Sequence, residues 1–220
     1  MAQPKYRTKT MLVGATGTTR KYTVPGTAVK GDTLVIWHYI ETTGIVFSVA
    51  GGGWEKRAQT KQTSEGWEAV CLVLPNWNGT TTEYTLEWGG GSKYNAGSIV
   101  VAEGADTASP VNAQSGANFK ENASSKNAVV DGPTTTSDEN LLISGAFNDN
   151  GSSATPGSGW TEDGDQADSP HVAHKNEAVN KGAQSSVTHS LGTASISLTL
   201  MLALQPPQSA AKRRRIGSVG

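Results

Sequence analysis

The chain states one pattern twice, and that duplication limits what it can fold into. Asp32-Thr-Leu-Val-Ile36 runs through an extended segment to Gly52-Gly-Trp-Glu55, and Glu139-Asn-Leu-Leu-Ile143 runs through a similar one to Gly157-Ser-Gly-Trp160-Thr-Glu162. Leu34 precedes Trp54 by 20 residues and Leu141 precedes Trp160 by 19. After each tryptophan come a polar stretch, an apolar run, an alternating strand and a closing apolar strand. In the first copy these are Ala69-Val-Cys-Leu-Val-Leu74, Thr82-Glu-Tyr-Thr-Leu-Glu-Trp88 and Gly97-Ser-Ile-Val-Val-Ala102. In the second they are His171-Val-Ala-His-Lys175, Ser186-Val-Thr-His-Ser190 and Ala194-Ser-Ile-Ser-Leu-Thr-Leu-Met-Leu-Ala-Leu204. A supersecondary unit repeated once builds two packed sheets rather than a catalytic cleft.

Composition agrees with a β fold. The 220 residues include 26 glycines, and only 17% are charged. Such a chain suits short strands joined by turns, and no stretch keeps the 3.6-residue period of a helix. One large all-β domain or two small ones fit this length. The apolar run from Ile196 to Leu204 is far below the roughly 20 residues that cross a bilayer, so no membrane contact is expected. Met1-Ala-Gln-Pro-Lys-Tyr-Arg-Thr-Lys9 lacks the apolar core of a secretory signal. The single cysteine, Cys71 between Val70 and Leu72, excludes an internal disulfide and reads as a buried thiol.

Charge is unevenly placed. Residues 1–30 hold Lys5, Arg7, Lys9, Arg20, Lys21 and Lys30 without an acid, and residues 212–215 are Lys212, Arg213, Arg214 and Arg215. Residues 31–211 then carry eight bases against 19 acids, a balance of −11. Basic ends on an acidic body point either to arms that dock on an acidic neighbour, another copy of the chain included, or to ends that are simply solvated. The basic run also has the look of a nucleic-acid or localisation signal. No aromatic interleaves it and the acidic body would repel a duplex, so nucleic acid is not the expected partner.

The organisation follows. Residues 1–20 are an extended basic segment, 21–206 a sandwich domain with repeats at 31–104 and 138–205, and 207–220 a basic arm beyond Pro206-Pro207. Thr8 to Val13 and Arg20 to Val24 read as strands around a turn at Gly14-Ala-Thr-Gly17. Thr42-Thr-Gly44 reads as a hairpin turn. Ala105 to Thr136, poor in large apolar residues, reads as a crossover that covers a sheet edge. Asn148 to Gly159 and Glu162 to Pro170 read as surface loops.

Candidate chemistry is sparse. Glu162, Asp163, Asp165 and Asp168 offer oxygens to calcium but lack the EF-hand spacing, so a solvated acidic loop is expected. His171 and His174 stand three apart, which on a strand places them on opposite faces, and neither they nor His189 form a metal set. No Gly-x-Ser-x-Gly elbow or phosphate-binding loop is present. Glu83 and Glu87 would lie about 13 Å apart on a strand, too far for glycoside cleavage. Neither enzyme activity nor a cofactor is expected. Among six tryptophans, Trp54 and Trp160 hold equivalent places and read as core or corner residues. Trp77, in the turn Pro75-Asn-Trp-Asn-Gly79, is the candidate glycan-stacking platform, with shielded turn packing as the equal alternative.

The order Val24-Pro25, Gly31-Asp-Thr-Leu-Val-Ile36, Gly53-Trp54-Glu55, Thr82-Glu-Tyr-Thr-Leu86 and Ala96-Gly-Ser-Ile-Val-Val101 has a further meaning. Continued by Thr134-Thr-Thr-Ser-Asp138, Leu141-Leu-Ile143, Gly159-Trp160-Thr161 and Ala203-Leu204, it resembles jelly-roll β-sandwich virion proteins of tailed bacteriophages. The resemblance covers about residues 20–206, with Asp138-Glu-Asn140 in place of the group's Gly-Asp pair and an added basic arm. It implies an antiparallel β-sandwich that serves as a minor tail or capsid-decoration subunit in the virion. It also implies other virion proteins as partners and a place in a homo-oligomer or larger symmetric assembly. Lys212 to Arg215 would grip a partner, and adhesion to a host-surface glycan through Trp77 or the loop around Trp160 is the alternative.

Overall fold

The computed structural model describes residues 3–44, 46–148, 153–164 and 170–208, and all regular structure within them is β. The first half supplies β1 (Lys5–Gly17), β2 (Thr19–Thr23), β3 (Thr33–Ile40), β4 (Ser48–Val49), β5 (Glu55–Gln62), β6 (Trp67–Leu74), β7 (Glu83–Glu87) and β8 (Lys93–Glu103). The second supplies β9 (Val111–Gln114), β10 (Lys120–Val130), β11 (Thr134–Thr135), β12 (Leu141–Asn148), β13 (Ala154–Pro156), β14 (Trp160–Gly164), β15 (His171–Lys175), β16 (Gly182–Ala183) and β17 (Val187–Leu204).

Two large antiparallel sheets form a β-sandwich, and each draws on one half of the chain. Sheet one runs β1-β8-β3-β6-β5 and sheet two runs β10-β17-β12-β15-β14, with β9 and β13 added to β17. The two orders agree place by place: leading strand, closing strand, first strand, apolar run, tryptophan strand. The repeat in the sequence is thus a repeat of whole sheets. The sheets stack in opposite senses. At one side β1 lies over β14 and β15, where Tyr6 stacks on His174 and Met11 fills the space left by Gly164. At the other side β5 lies over β10, where Gln62 Nε2 donates to Glu121 Oε1 at 3.2 Å. A pseudo-twofold axis therefore relates the halves.

One core is shared by both sheets. Val35, Trp37, Tyr39, Cys71 and Val100 of sheet one meet Leu141, Ile143, Phe147, Leu198 and Leu200 of sheet two. At its centre the Trp37 ring sits on Gly145, and Phe119 and Phe147 pack against the same indole with centroids 6.3 Å away. The outer face of sheet one is also covered, by a small sheet ordered β2-β7-β4 that brings Tyr22, Tyr84 and Leu86 onto Leu34, Ile36 and Val70. With both faces covered, β3 and β6 are buried at every residue, so their sequences read as unbroken apolar runs rather than alternation.

Several local expectations are corrected. Gly14 to Gly17 is not a turn: β1 continues through it, with a register irregularity between Leu12 and Ala15, and Gly14 gives way to the Tyr94 ring. Thr42 to Gly44 does not close a hairpin, because β3 pairs with β6 and β8 while β4 pairs with β7. Ser186–Ser190 and Ala194–Leu204 are not two strands. Val187–Ser190 and Ala194–Leu204 lie within the 18-residue β17, which pairs with β10 along much of its length. The crossover after Ala105 does cover the β5 edge: Gln114 Nε2 donates to the Arg57 carbonyl at 3.1 Å and the Phe119 amide to Thr60 Oγ1 at 3.0 Å. It then becomes β10, the counterpart of β1. The presumed loops hold β13, and also β14 as far as Gly164.

The aligned motifs are also one residue out of phase. Leu34 and Ile36 face the outer cluster of sheet one, whereas Leu141 and Ile143 face the shared core. A shift of one residue in a strand exchanges its two faces.

Candidate functional site

The histidines, the first place to look for chemistry, are spent on structure. His38, on the fully buried β3, has Nδ1 2.6 Å from the Tyr22 hydroxyl and its ring tilted over Trp88. Burial, aided by the Arg20 charge, lowers its pKa to about 3. His189 Nε2 lies 3.0 Å from Ser144 Oγ. Burial and the neighbouring His171 likewise lower the pKa of His189 to about 3. Asn148 Nδ2 donates to His171 Nε2 at 2.7 Å. Alternation along β15 buries His171 and turns His174 to the β1 side, as the spacing requires. Among the described residues no group of three His, Cys, Asp or Glu is placed to hold a metal ion. Cys71 is fully buried, and burial pushes its thiol pKa up.

The best-built polar cluster clasps the two sheets together. Tyr6 of β1 stacks on His174 of β15 with centroids 4.2 Å apart and planes at 4°. His174 Nδ1 is 2.9 Å from both carboxylate oxygens of Asp163 on β14. Burial, the Asp163 charge and a hydrogen bond to it raise the Tyr6 pKa. Lys9 faces Asp163 and Glu162, although burial lowers its pKa overall. Asp163 is only 2% exposed, so at this position the expected solvated loop is wrong: the carboxylate is shared by an imidazole and a phenol from the other elements. Asp165 and Asp168 lie outside the described residues.

A second feature is a groove of 710 Å3 along β5. Lys56, Arg57, Gln59, Thr60 and Lys61 form one wall, and Ala117, Asn118 and Phe119 of the crossover form the other. Arg57 is held by Glu55 Oε2 at 3.2 Å and by Gln114 Oε1 at 3.2 Å. Lys56 Nζ donates to Gln59 Oε1 at 2.7 Å. Sequence reading passed over this groove. Its signal was present in the comparison of Trp54-Glu-Lys-Arg-Ala-Gln-Thr-Lys61 with Trp160-Thr-Glu-Asp-Gly-Asp165, whose charges are opposite.

Trp77 is 6% exposed, and its indole N–H donates to the Thr81 carbonyl at 2.9 Å. The ring packs into the outer cluster of sheet one and presents no stacking face, so shielded turn packing is what the turn provides. Trp54 and Trp160 are half-buried against the outer clusters of their own sheets, as corner residues of equivalent strands. Glu83 and Glu87 are exposed on β7. Lys212, Arg213, Arg214 and Arg215 lie outside the described residues. Set beside protein-family models, curated proteins and solved structures, the chain matches none of them.

Proposed function

We propose that this chain is a non-enzymatic accessory subunit of a bacteriophage particle, a minor tail or capsid-decoration protein that acts through protein contacts. The observation that carries the reading is the duplicated sandwich itself, together with the resemblance in residues 20–206. Its histidines, its thiol and its best-formed carboxylate cluster are bound into the packing, so the chain's polar chemistry serves rigidity. A rigid body with a basic arm beyond Pro207 suits a part that is bolted onto a larger assembly. The arm supplies charge for an acidic neighbour, and the burial of Trp77 takes away one of the two platforms of the glycan alternative, leaving the loop around Trp160.

The test compares the full chain with a version ending at Pro207 as bait against proteins released from disrupted particles. Recovery of a virion protein by the full chain and its loss on truncation is the expected result. If neither form retains a virion protein at low salt, the reading falls.

A further inference from the structure

We propose that the trough along β5 is a binding site for an extended polysaccharide that carries carboxylates. This goes beyond the structural-subunit reading, and the site lies apart from the loop around Trp160. The trough has two parts that meet at Lys56. One is the 710 Å3 groove between β5 and residues 117–119. The other is a 200 Å3 pocket walled by Phe47, Val49, Trp54 and Leu72 beside Gly52 and Gly53. Lys56 stands opposite Leu72 and Lys61 opposite Glu68 in the β5–β6 pairing, so the cations are spread over roughly 15 Å of strand. That length suits a chain rather than a single ion.

Charge sets the sign of the occupant. Lys56, Arg57 and Lys61 line the groove against one acid, Glu68. Glu68 is fully buried and accepts from the Gly44 amide at 3.1 Å and from Gln59 Nε2 at 2.6 Å. Lys56 and Lys61 are exposed, and no carboxylate of the described residues pairs with either. Backbone geometry argues against a peptide. Extended peptides are commonly held by main-chain pairing at a sheet edge. Here the Arg57 carbonyl already accepts from Gln114 Nε2 at 3.1 Å and the Gln59 carbonyl from the Asn118 side-chain amide at 3.2 Å. A polysaccharide is held by side chains and needs no such ladder. The pocket adds a specific donor: the Trp54 indole N–H is shielded from water and has no acceptor among the described residues. A sugar oxygen set beside the Trp54 and Phe47 rings satisfies it.

The experiment is titration calorimetry of the full chain at low salt with oligogalacturonate, polysialic acid, neutral dextran and polyglutamate. At least one of the two acidic polysaccharides should bind, and should be released near 1 M salt, where the screening length is only about 3 Å. Dextran and polyglutamate should not bind. Lys56→Gln with Lys61→Gln should weaken binding about tenfold, the scale of two exposed charge contacts. Lys21→Gln with Lys181→Gln makes the same change in net charge away from β5 and should leave binding unaltered. Trp54→Phe keeps a ring but removes the donor, and should also weaken binding. Urea midpoints of the variants, set against the parent, separate a lost contact from a lost fold. Failure of both acidic polysaccharides to bind overturns the inference. So does polyglutamate binding that the Lys56 and Lys61 change abolishes, an equal loss from both lysine pairs, or parental affinity in Trp54→Phe. Sugar binding by a chain that is absent from particles leaves this site standing while the proposed function falls.

Discussion

Trp37 rests on Gly145: a Cβ added at Gly145 would lie 2.5 Å from Cε3 and Cζ3 of the indole. The two residues belong to β3 and β12, the middle strands of the two sheets, so glycine meets tryptophan at the centre of the sandwich. The largest core side chain needs the smallest residue opposite it.

Gly145→Ala should therefore destabilise the fold by about 1–3 kcal/mol, the usual cost of forcing a methyl into a filled core. Urea unfolding should show a lower midpoint at unchanged slope. Gly26→Ala, where an added Cβ meets nothing within 4 Å, should stay within roughly 0.5 kcal/mol of the parent.

The buried histidines make stability depend on pH. In the fold, His38 and His189 stay neutral down to about pH 3, whereas the unfolded chain protonates them near pH 6.5. Above that value both states are neutral and neither histidine contributes a slope. As pH falls from 6.5 towards 3 the unfolded state takes up two protons that the fold refuses. Stability then declines by about 1.4 kcal/mol per pH unit for each histidine. Urea midpoints at pH 7, 5.5 and 4.5 should follow that fall, and a His38→Gln, His189→Gln double variant should flatten it. Equal pH dependence in the two chains would show that other groups set the slope.

The Tyr6, His174 and Asp163 clasp should behave as one unit. Asp163→Ala leaves a phenol and an imidazole without their shared acceptor, at a cost of about 1–3 kcal/mol. Tyr6→Leu combined with Asp163→Ala should cost less than the sum of the single changes, because both remove the same interaction. A double-mutant cycle by urea unfolding measures the coupling. Additive costs would mean that the residues act separately.

Cys71 should resist thiol reagents in the folded state, since it is fully buried and its thiol pKa is raised. Its modification rate, followed by absorbance, should rise only as denaturant populates the unfolded chain. Rapid labelling under native conditions would place the thiol elsewhere.

How far the sequence reveals this fold depends on how each strand is buried. β3, β6 and β8 lie between covered faces and show themselves as apolar runs, so the all-β class, the two sheets and the duplication were legible. β10 was hidden because its exposed positions carry Lys120, Glu121, Asn127 and small polar residues, which look like a loop. Gly14 and Gly17 suggested a turn, but Gly14 is there to admit the Tyr94 ring. The literal match of Leu34 to Leu141 concealed a change of face, since the motif does not say which side of each sheet is shared. The clasp was illegible for another reason: Tyr6 and His174 stand far apart in sequence, and only the stacking of the two sheets brings them together. Trp77 was ambiguous because a turn tryptophan can face either way, and Thr81 and the outer cluster decide it.

The most direct measurement of the central claim is the protein content of purified particles. Particles banded by density and washed in high salt should contain this chain at a fixed copy number, as quantified by mass spectrometry against the main shell protein. A chain abundant in the infected-cell lysate yet absent from such particles would contradict the account.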